Sequence, residues 1–133
     1  MITLLLAAIL QTSIPMRPIE KGLNSEMDGG RQAVARTDAE WTRVWTLHAG
    51  ERTKPAVDFS KDIVVALFLG SRPTAGFTVE IVGVREEGAT LVVSYRETRP
   101  TPGSVAAQIL TSPFHIVAVP KGTATAVKWE RVN

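Results

Sequence analysis

The chain has 133 residues, enough for one domain with a real core and too few for two ordinary ones. Hydrophobic residues make up 44%, which excludes a disordered polypeptide, and 15 basic against 13 acidic residues give a net charge of only +2. The basic residues are scattered, and no aromatic-basic pattern accompanies them, so nucleic acid is not an expected partner.

Met1 to Leu10 is apolar and uncharged, too short to span a bilayer, and followed by Gln11-Thr12-Ser13. Residues 1–13 read as an export signal, against the alternative of a buried N-terminal strand or helix. Residues 14–133 then form a single domain, with no stable membrane insertion once the signal is removed. The sequence contains no cysteine, so neither a disulfide framework nor a lipid-attachment thiol exists on it. The expected location is periplasmic or extracellular.

Pro15 and Pro18 hold the start of the domain extended, and Asp28-Gly29-Gly30 is a turn signal. Thr37-Asp38-Ala39-Glu40 is a capping box opening a helix. Trp41, Val44, Trp45 and His48 follow at helical spacing on one face, and Ala49-Gly50 supplies a stop. Asp62 to Leu69 is a continuous apolar run, the pattern of a strand buried on both faces. Residues 77–84 and 90–97 alternate and are joined by a short turn, which predicts an antiparallel hairpin with Glu80 and Glu97 on wet faces. Arg99-Pro100-Thr101-Pro102-Gly103 breaks the pattern. A further strand segment runs from Val105 to Val119, interrupted at Thr111-Ser112-Pro113, and a last one covers 124–132. The fold class is α+β, mostly β: an antiparallel sheet or small, partly open barrel of about five or six strands with one packed helix.

Chemistry is sparse. His48 and His115 are the only histidines and lie far apart, with no ligand-spaced partner, so no metal is expected and structural roles are favoured. His48 sits where partial positive charge would suit the end of the helix dipole, and His115 alternates with Phe114 and Ile116 and faces away from them. Ser71 lacks a nucleophile elbow, Glu86-Glu87 reads as a solvated turn, and Gly70 to Gly76 lacks the Lys-Ser/Thr of a phosphate loop. No cofactor is expected and no catalytic residue is assigned. A histidine brought beside a serine and a carboxylate by the fold would revive an enzyme reading.

The loops carry more information. Gly70 to Gly76, Arg99 to Gly103 and Thr111 to Pro113 each place proline and hydroxyl residues at the ends of apolar strands. Each alone is an ordinary turn; together they can form one rim that binds another protein. The candidate protein-binding residues are Ser71, Arg72, Pro73, Thr74, Ala75, Gly76, Phe77, Arg99, Thr101, Thr111 and Ser112, with Arg96 a further possible anchor.

The order of motifs, Trp41-x3-Trp45-x2-His48, Val57-Asp58-Phe59-Ser60, Gly70 to Phe77 and Leu110 to Val117, resembles the PrcB C-terminal domain family over about residues 30–130. Phe77 stands where that family has Tyr, and Ala75 where Gly or Thr is commoner. The resemblance implies an exported bacterial domain with a non-catalytic role, stabilising or assisting an extracytoplasmic protein or protease complex, and thus a protein partner such as an exported protease. Pro73 to Phe77 also resembles the Pro-Thr-Thr-Gly-Tyr loop of chagasin-type cysteine-protease inhibitors, which makes inhibition the alternative; a small hydrolase with an unrecognised site is the second.

Overall fold

The computed structural model describes residues 12–133. The export signal expected over residues 1–13 lies outside them up to residue 11, and the domain boundary expected after Ser13 falls within the first strand. In chain order the elements are β1 (Thr12–Ile14), β2 (Arg17–Gly22), β3 (Arg31–Ala35), α1 (Asp38–Ala49), β4 (Asp62–Phe68), β5 (Thr78–Glu87), β6 (Thr90–Thr98), β7 (Phe114–Pro120) and β8 (Ala126–Arg131). They form a central sheet in the order β2-β7-β4-β3 and an outer sheet in the order β1-β5-β6-β8.

The central sheet is buried on both faces because its two inner strands are apolar at almost every position. Val64, Ala66, Phe68, Phe114 and Ile116 pack towards α1 with Trp41, Val44 and Trp45. Ile63, Val65, Leu67, Val117 and Val119 pack against Val79, Ile81, Leu91 and Val93 of the outer sheet. The alternation of a strand sends successive side chains into these two separate cores. The molecule therefore has three layers: helix, central sheet and outer sheet.

The α+β, mostly β class and, among the described residues, the single helix are as the sequence indicates. Three details differ. Among the described residues the strands number eight, because two edge strands lie on either side of Pro15, the second containing Pro18, and a third, Arg31–Ala35, precedes the helix. These pieces are too short, and β3 too polar at its start, to announce themselves by alternation. The last strand runs parallel to β6, while every other pair is antiparallel. Residues 105–110 form no strand; only 114–120 of that segment pairs in a sheet.

Helix α1 keeps its sequence signature. The Thr37 hydroxyl accepts from the Glu40 amide at 3.2 Å and donates to the Glu40 carboxylate, which thus reaches the hydroxyl. The indoles of Trp41 and Trp45 are buried, yet each N–H is satisfied, donating to the carbonyls of Pro55 (3.0 Å) and Arg52 (2.8 Å). Gly50 ends the helix, and its N–H donates to the Thr46 carbonyl. Among the described residues, no helix is long and apolar enough to cross a membrane.

Candidate functional site

The three loops singled out in the sequence meet at one end of the fold. Arg72 and Thr111 exchange backbone hydrogen bonds in antiparallel fashion, at 2.7 and 2.9 Å. The Thr111 hydroxyl donates to the Thr74 carbonyl, and the Ala75 N–H donates to the Ala107 carbonyl at 3.0 Å. On the other side, the Ser71 N–H and hydroxyl donate to the backbone carbonyl and carboxylate of Asp28.

Two glycines make this closeness possible. Gly70 has φ of +85°, and a side chain there would stand 2.8 Å from the Gly30 nitrogen and 2.9 Å from the Asp28 carbonyl oxygen. Gly76, at φ of +98°, lies against Pro100, so close that a Cβ at this position would stand 2.8 Å from the proline ring. Neither position tolerates an L side chain without strain. Gly76 thereby clasps the 70–77 loop to the 99–103 loop.

The candidate residues divide into buried supports and more accessible groups. Thr111 and Ser112 are buried and already engaged, the Ser112 hydroxyl donating to the Met27 carbonyl at 2.7 Å. They hold the rim from within and do not face solvent. Ser71, Arg72, Thr74, Ala75 and Phe77 are half-buried, and Pro73, Gly76, Arg96, Arg99 and Thr101 are exposed. The Arg72 guanidinium lies over the Phe77 ring at 5.8 Å and donates to the Ser71 carbonyl, so its pose is fixed locally.

The rim also contains a feature outside the residues chosen from the sequence. Of the five large apolar side chains left exposed among the described residues, Val105, Ile109 and Leu110 belong to the segment that follows the 99–103 loop. A fourth, Leu23, lines a small cavity with Leu110 and Ser71. The apolar stretch is plain in the sequence, but strand propensity accounts for it without any exposure.

A second polar assembly carries no sequence signature. His48 is fully buried, its ring 4.3 Å from that of Phe114 and 5.3 Å from that of Trp45. Its Nδ1 lies 2.8 Å from the Ser25 hydroxyl and its Nε2 2.9 Å from the Glu20 carboxylate. Arg52 donates two hydrogen bonds to the same carboxylate, at 2.9 and 3.3 Å. Burial pushes His48 below the ordinary imidazole range, partly opposed by Glu20. Burial alone would raise Glu20, but the hydrogen bonds from Arg52 and His48 outweigh it and hold the carboxyl below its usual range. The neutral imidazole therefore donates from Nε2 to Glu20 and accepts the Ser25 proton at Nδ1. Desolvation, not the helix dipole, governs this histidine.

A serine, a histidine and an oriented carboxylate in a row are the constellation of a nucleophilic hydrolase. The surroundings lack the remaining part. The amides that flank Ser25 are all engaged: Ser25 N–H with the Ser112 carbonyl, Glu26 N–H with the His48 carbonyl, and Met27 N–H with the Ser25 hydroxyl oxygen itself. An oxyanion would find no free donor among them. The nucleophilic lone pairs are also blunted by the Met27 amide. The assembly fastens the 20–28 segment to α1.

His115 has a comparable structural post. β5 carries a bulge between Ile81 and Gly83, and there the Ile81 N–H donates to the His115 Nδ1 at 2.8 Å, joining the two sheets. Burial and nearby Lys21 keep this imidazole below its ordinary range, against a smaller pull from Glu80. Among the described residues no cluster of three or more His, Cys, Asp or Glu is placed to hold a metal ion.

No curated protein and no solved structure gives a match to this chain. A family model does: the one described as PrcB C-terminal matches residues 63–120, from β4 through the rim loops to β7. The stretch that builds both the inner central strands and the rim is thus similar to the PrcB C-terminal family, and it contains the Gly70 to Phe77 and Leu110 to Val117 motifs of the resemblance.

Proposed function

We propose that this chain is a non-catalytic, exported binding domain that stabilises or assists an extracytoplasmic protein or protease complex, using the rim formed by residues 70–77, 99–103 and 105–110. The observation that carries the reading is the convergence of those loops: Arg72 and Thr111, Thr74 and Thr111, Ala75 and Ala107, and Gly76 and Pro100 interlock, while apolar side chains point outward beside them. Loops held this firmly on a buried sheet present side chains at low entropic cost, which suits recognition. The match of the PrcB C-terminal model to the same stretch supports an accessory role.

An inhibitor of the chagasin type needs a loop that projects into a cleft. Here Thr74 and Ala75 are half-buried and hydrogen-bonded to Thr111 and Ala107, and Gly76 lies against Pro100, so the loop is braced on its flanks. Micromolar protein should leave a papain-type protease active, and dose-dependent inhibition would reverse that choice. The binding reading is tested by capture from a native envelope extract with intact protein and with Arg72→Glu. Capture should fall with the variant while the melting temperature stays put; undiminished capture would remove the rim from the account.

A further inference from the structure

We propose that the free side of β3 docks an extended, acidic segment of another protein, which pairs with it and continues the central sheet. The proposal rests on the protein-binding reading and names where, beside the rim, the partner chain lies.

β3 is the last strand of the central sheet on its side, and the register shows which of its backbone groups are free. Just beyond the two ends of β4, the Leu69 N–H donates to the Pro113 carbonyl and the Lys121 N–H to the Lys61 carbonyl, at 2.9 and 2.7 Å. Bonded pairs alternate in an antiparallel ladder, and no register shift interrupts this one. The odd residues of β4 therefore bond to β7, and its even residues bond to Arg31, Ala33 and Ala35 of β3. Gln32 and Val34 turn their N–H and C=O to the free side, where neither meets a backbone partner among the described residues.

Sheet edges are normally guarded. β1 has three residues, β2 contains Pro18 and a register shift, and β8 exposes Lys128 and Arg131. The centre of β3, Ala33-Val34-Ala35, is small, apolar and in unbroken register. Beside it the outer sheet leaves Tyr95, Val127 and Trp129 only half-buried on the same core as Val34. Tyr95 shares a cavity with Arg31 and Gln32, and the Trp129 ring meets Tyr95 edge-on at 6.4 Å. A strand added to β3 would lie under these rings, a mode of recognition in which backbone pairing gives affinity and flanking pockets give selectivity. Leu69 and Arg72 line that cavity too, so the edge begins where the rim ends.

Charge decides between occupants. Arg31 and Arg43 line the groove between β3 and α1 together with Glu40, and Arg31 and Arg72 line the groove towards the outer sheet together with Glu97. Both carboxylates are engaged, Glu97 with Arg131 at 3.6 Å and Glu40 with the Thr37 hydroxyl. Arg31, Arg36 and Arg43 make no ion pair with a described residue, and the Arg36 Nη2 is buried without a hydrogen-bond partner. Antiparallel pairing of β3 with β3 of a second copy would bring these guanidiniums together, which is repulsive. A segment carrying carboxylates would be attracted, so the occupant is an acidic, strand-forming segment of a different protein.

The test is selection of a displayed library of random short peptides on the intact chain, followed by amide hydrogen exchange of the complex. The expected result is enrichment of alternating apolar sequences bearing Asp or Glu, with slowed exchange at Gln32 and Val34. Gln32→Pro removes one outward amide at an exposed position and leaves the ladder to β4 whole, so it should weaken the selected peptide about tenfold. Arg43→Glu, on α1 and outside the ladder, should weaken it as well, with a loss that shrinks as salt is raised. Arg43→Glu decides the matter if Gln32→Pro lowers the melting temperature. No enrichment, enrichment without carboxylates, or binding that leaves exchange at Gln32 and Val34 unchanged would overturn the proposal. Protection of these amides that grows with protein concentration before any peptide is added would make a second copy the occupant, and would also overturn it. If Arg72→Glu abolishes envelope capture while Gln32→Pro and Arg43→Glu leave it intact, rim binding stands and strand addition falls. If only Gln32→Pro and Arg43→Glu reduce capture, the edge stands and the rim falls. Loss with all three supports both, and loss with none removes both.

Discussion

The Ser25–His48–Glu20 assembly and the rim lie side by side, sharing the Thr111-Ser112 stretch as a wall, and they differ in one respect. In the first, each polar group has found a partner within the protein: the imidazole has both of its nitrogens engaged, the carboxylate has Arg52, and the amides around Ser25 are taken. In the second, the apolar side chains of Val105, Ile109 and Leu110 are left exposed. A closed network of buried polar groups adds rigidity and specificity to a core. Large apolar side chains grouped on a surface mark a place where something else can bind. The comparison supports the proposed division, in which the catalytic-looking cluster holds the fold and the plain-looking loops bind.

Substitutions separate the two regions. The largest expected effect is on the aromatic wall of the closed network: Trp45→Ala should cost about 3–5 kcal/mol in urea unfolding, because the ring is core. His48→Ala follows at about 2–4 kcal/mol, since it opens a hole and strands the Ser25 hydroxyl and part of the Glu20 carboxylate. Ser25→Ala should cost about 1–2 kcal/mol and leave partner capture intact. A variant of the closed network that kept its stability but lost capture would break the division. At the small end, Arg99→Ala or Val105→Ser should move stability by less than about 0.5 kcal/mol while weakening capture.

Acid should act on the closed region first. Folded His48 lies below its ordinary value of 6.5, so between the two values the unfolded chain binds more protons. Stability is therefore complete above about pH 6.5 and falls as the pH drops through that window, with His115 contributing in the same direction. Glu20, also lowered, continues the loss at more acidic pH, below its ordinary 4.5. Urea midpoints measured at steps from neutral to mildly acidic pH should show this slope. His48→Gln should flatten it, and an unaltered slope would assign the effect elsewhere.

Much of the architecture is legible in the sequence because it depends on local pattern. The run 62–69 announces burial on both faces, and its odd and even residues do enter separate cores. The helix stripe is legible for the same reason: Trp41, Val44, Trp45 and His48 all point inward. What is not legible requires tertiary assembly. Glu20 and Ser25 meet His48 from 28 and 23 residues away, a distance at which no spacing rule operates. Residues 105–110 have the composition of a strand, and only the fold shows that they join no sheet with the described residues. The rim residues are neighbours, as their loop chemistry indicates, but sequence does not divide them into buried supports such as Thr111 and outward groups such as Arg99.

The central claim is that the rim binds another protein while the closed network only holds the fold. Its most direct measurement is the affinity of the envelope protein recovered with this chain, compared between Arg72→Glu and Ser25→Ala. The account predicts a loss of about tenfold or more for Arg72→Glu with no change in melting temperature, and native affinity for correctly folded Ser25→Ala. Native affinity for Arg72→Glu together with a loss for folded Ser25→Ala would contradict it.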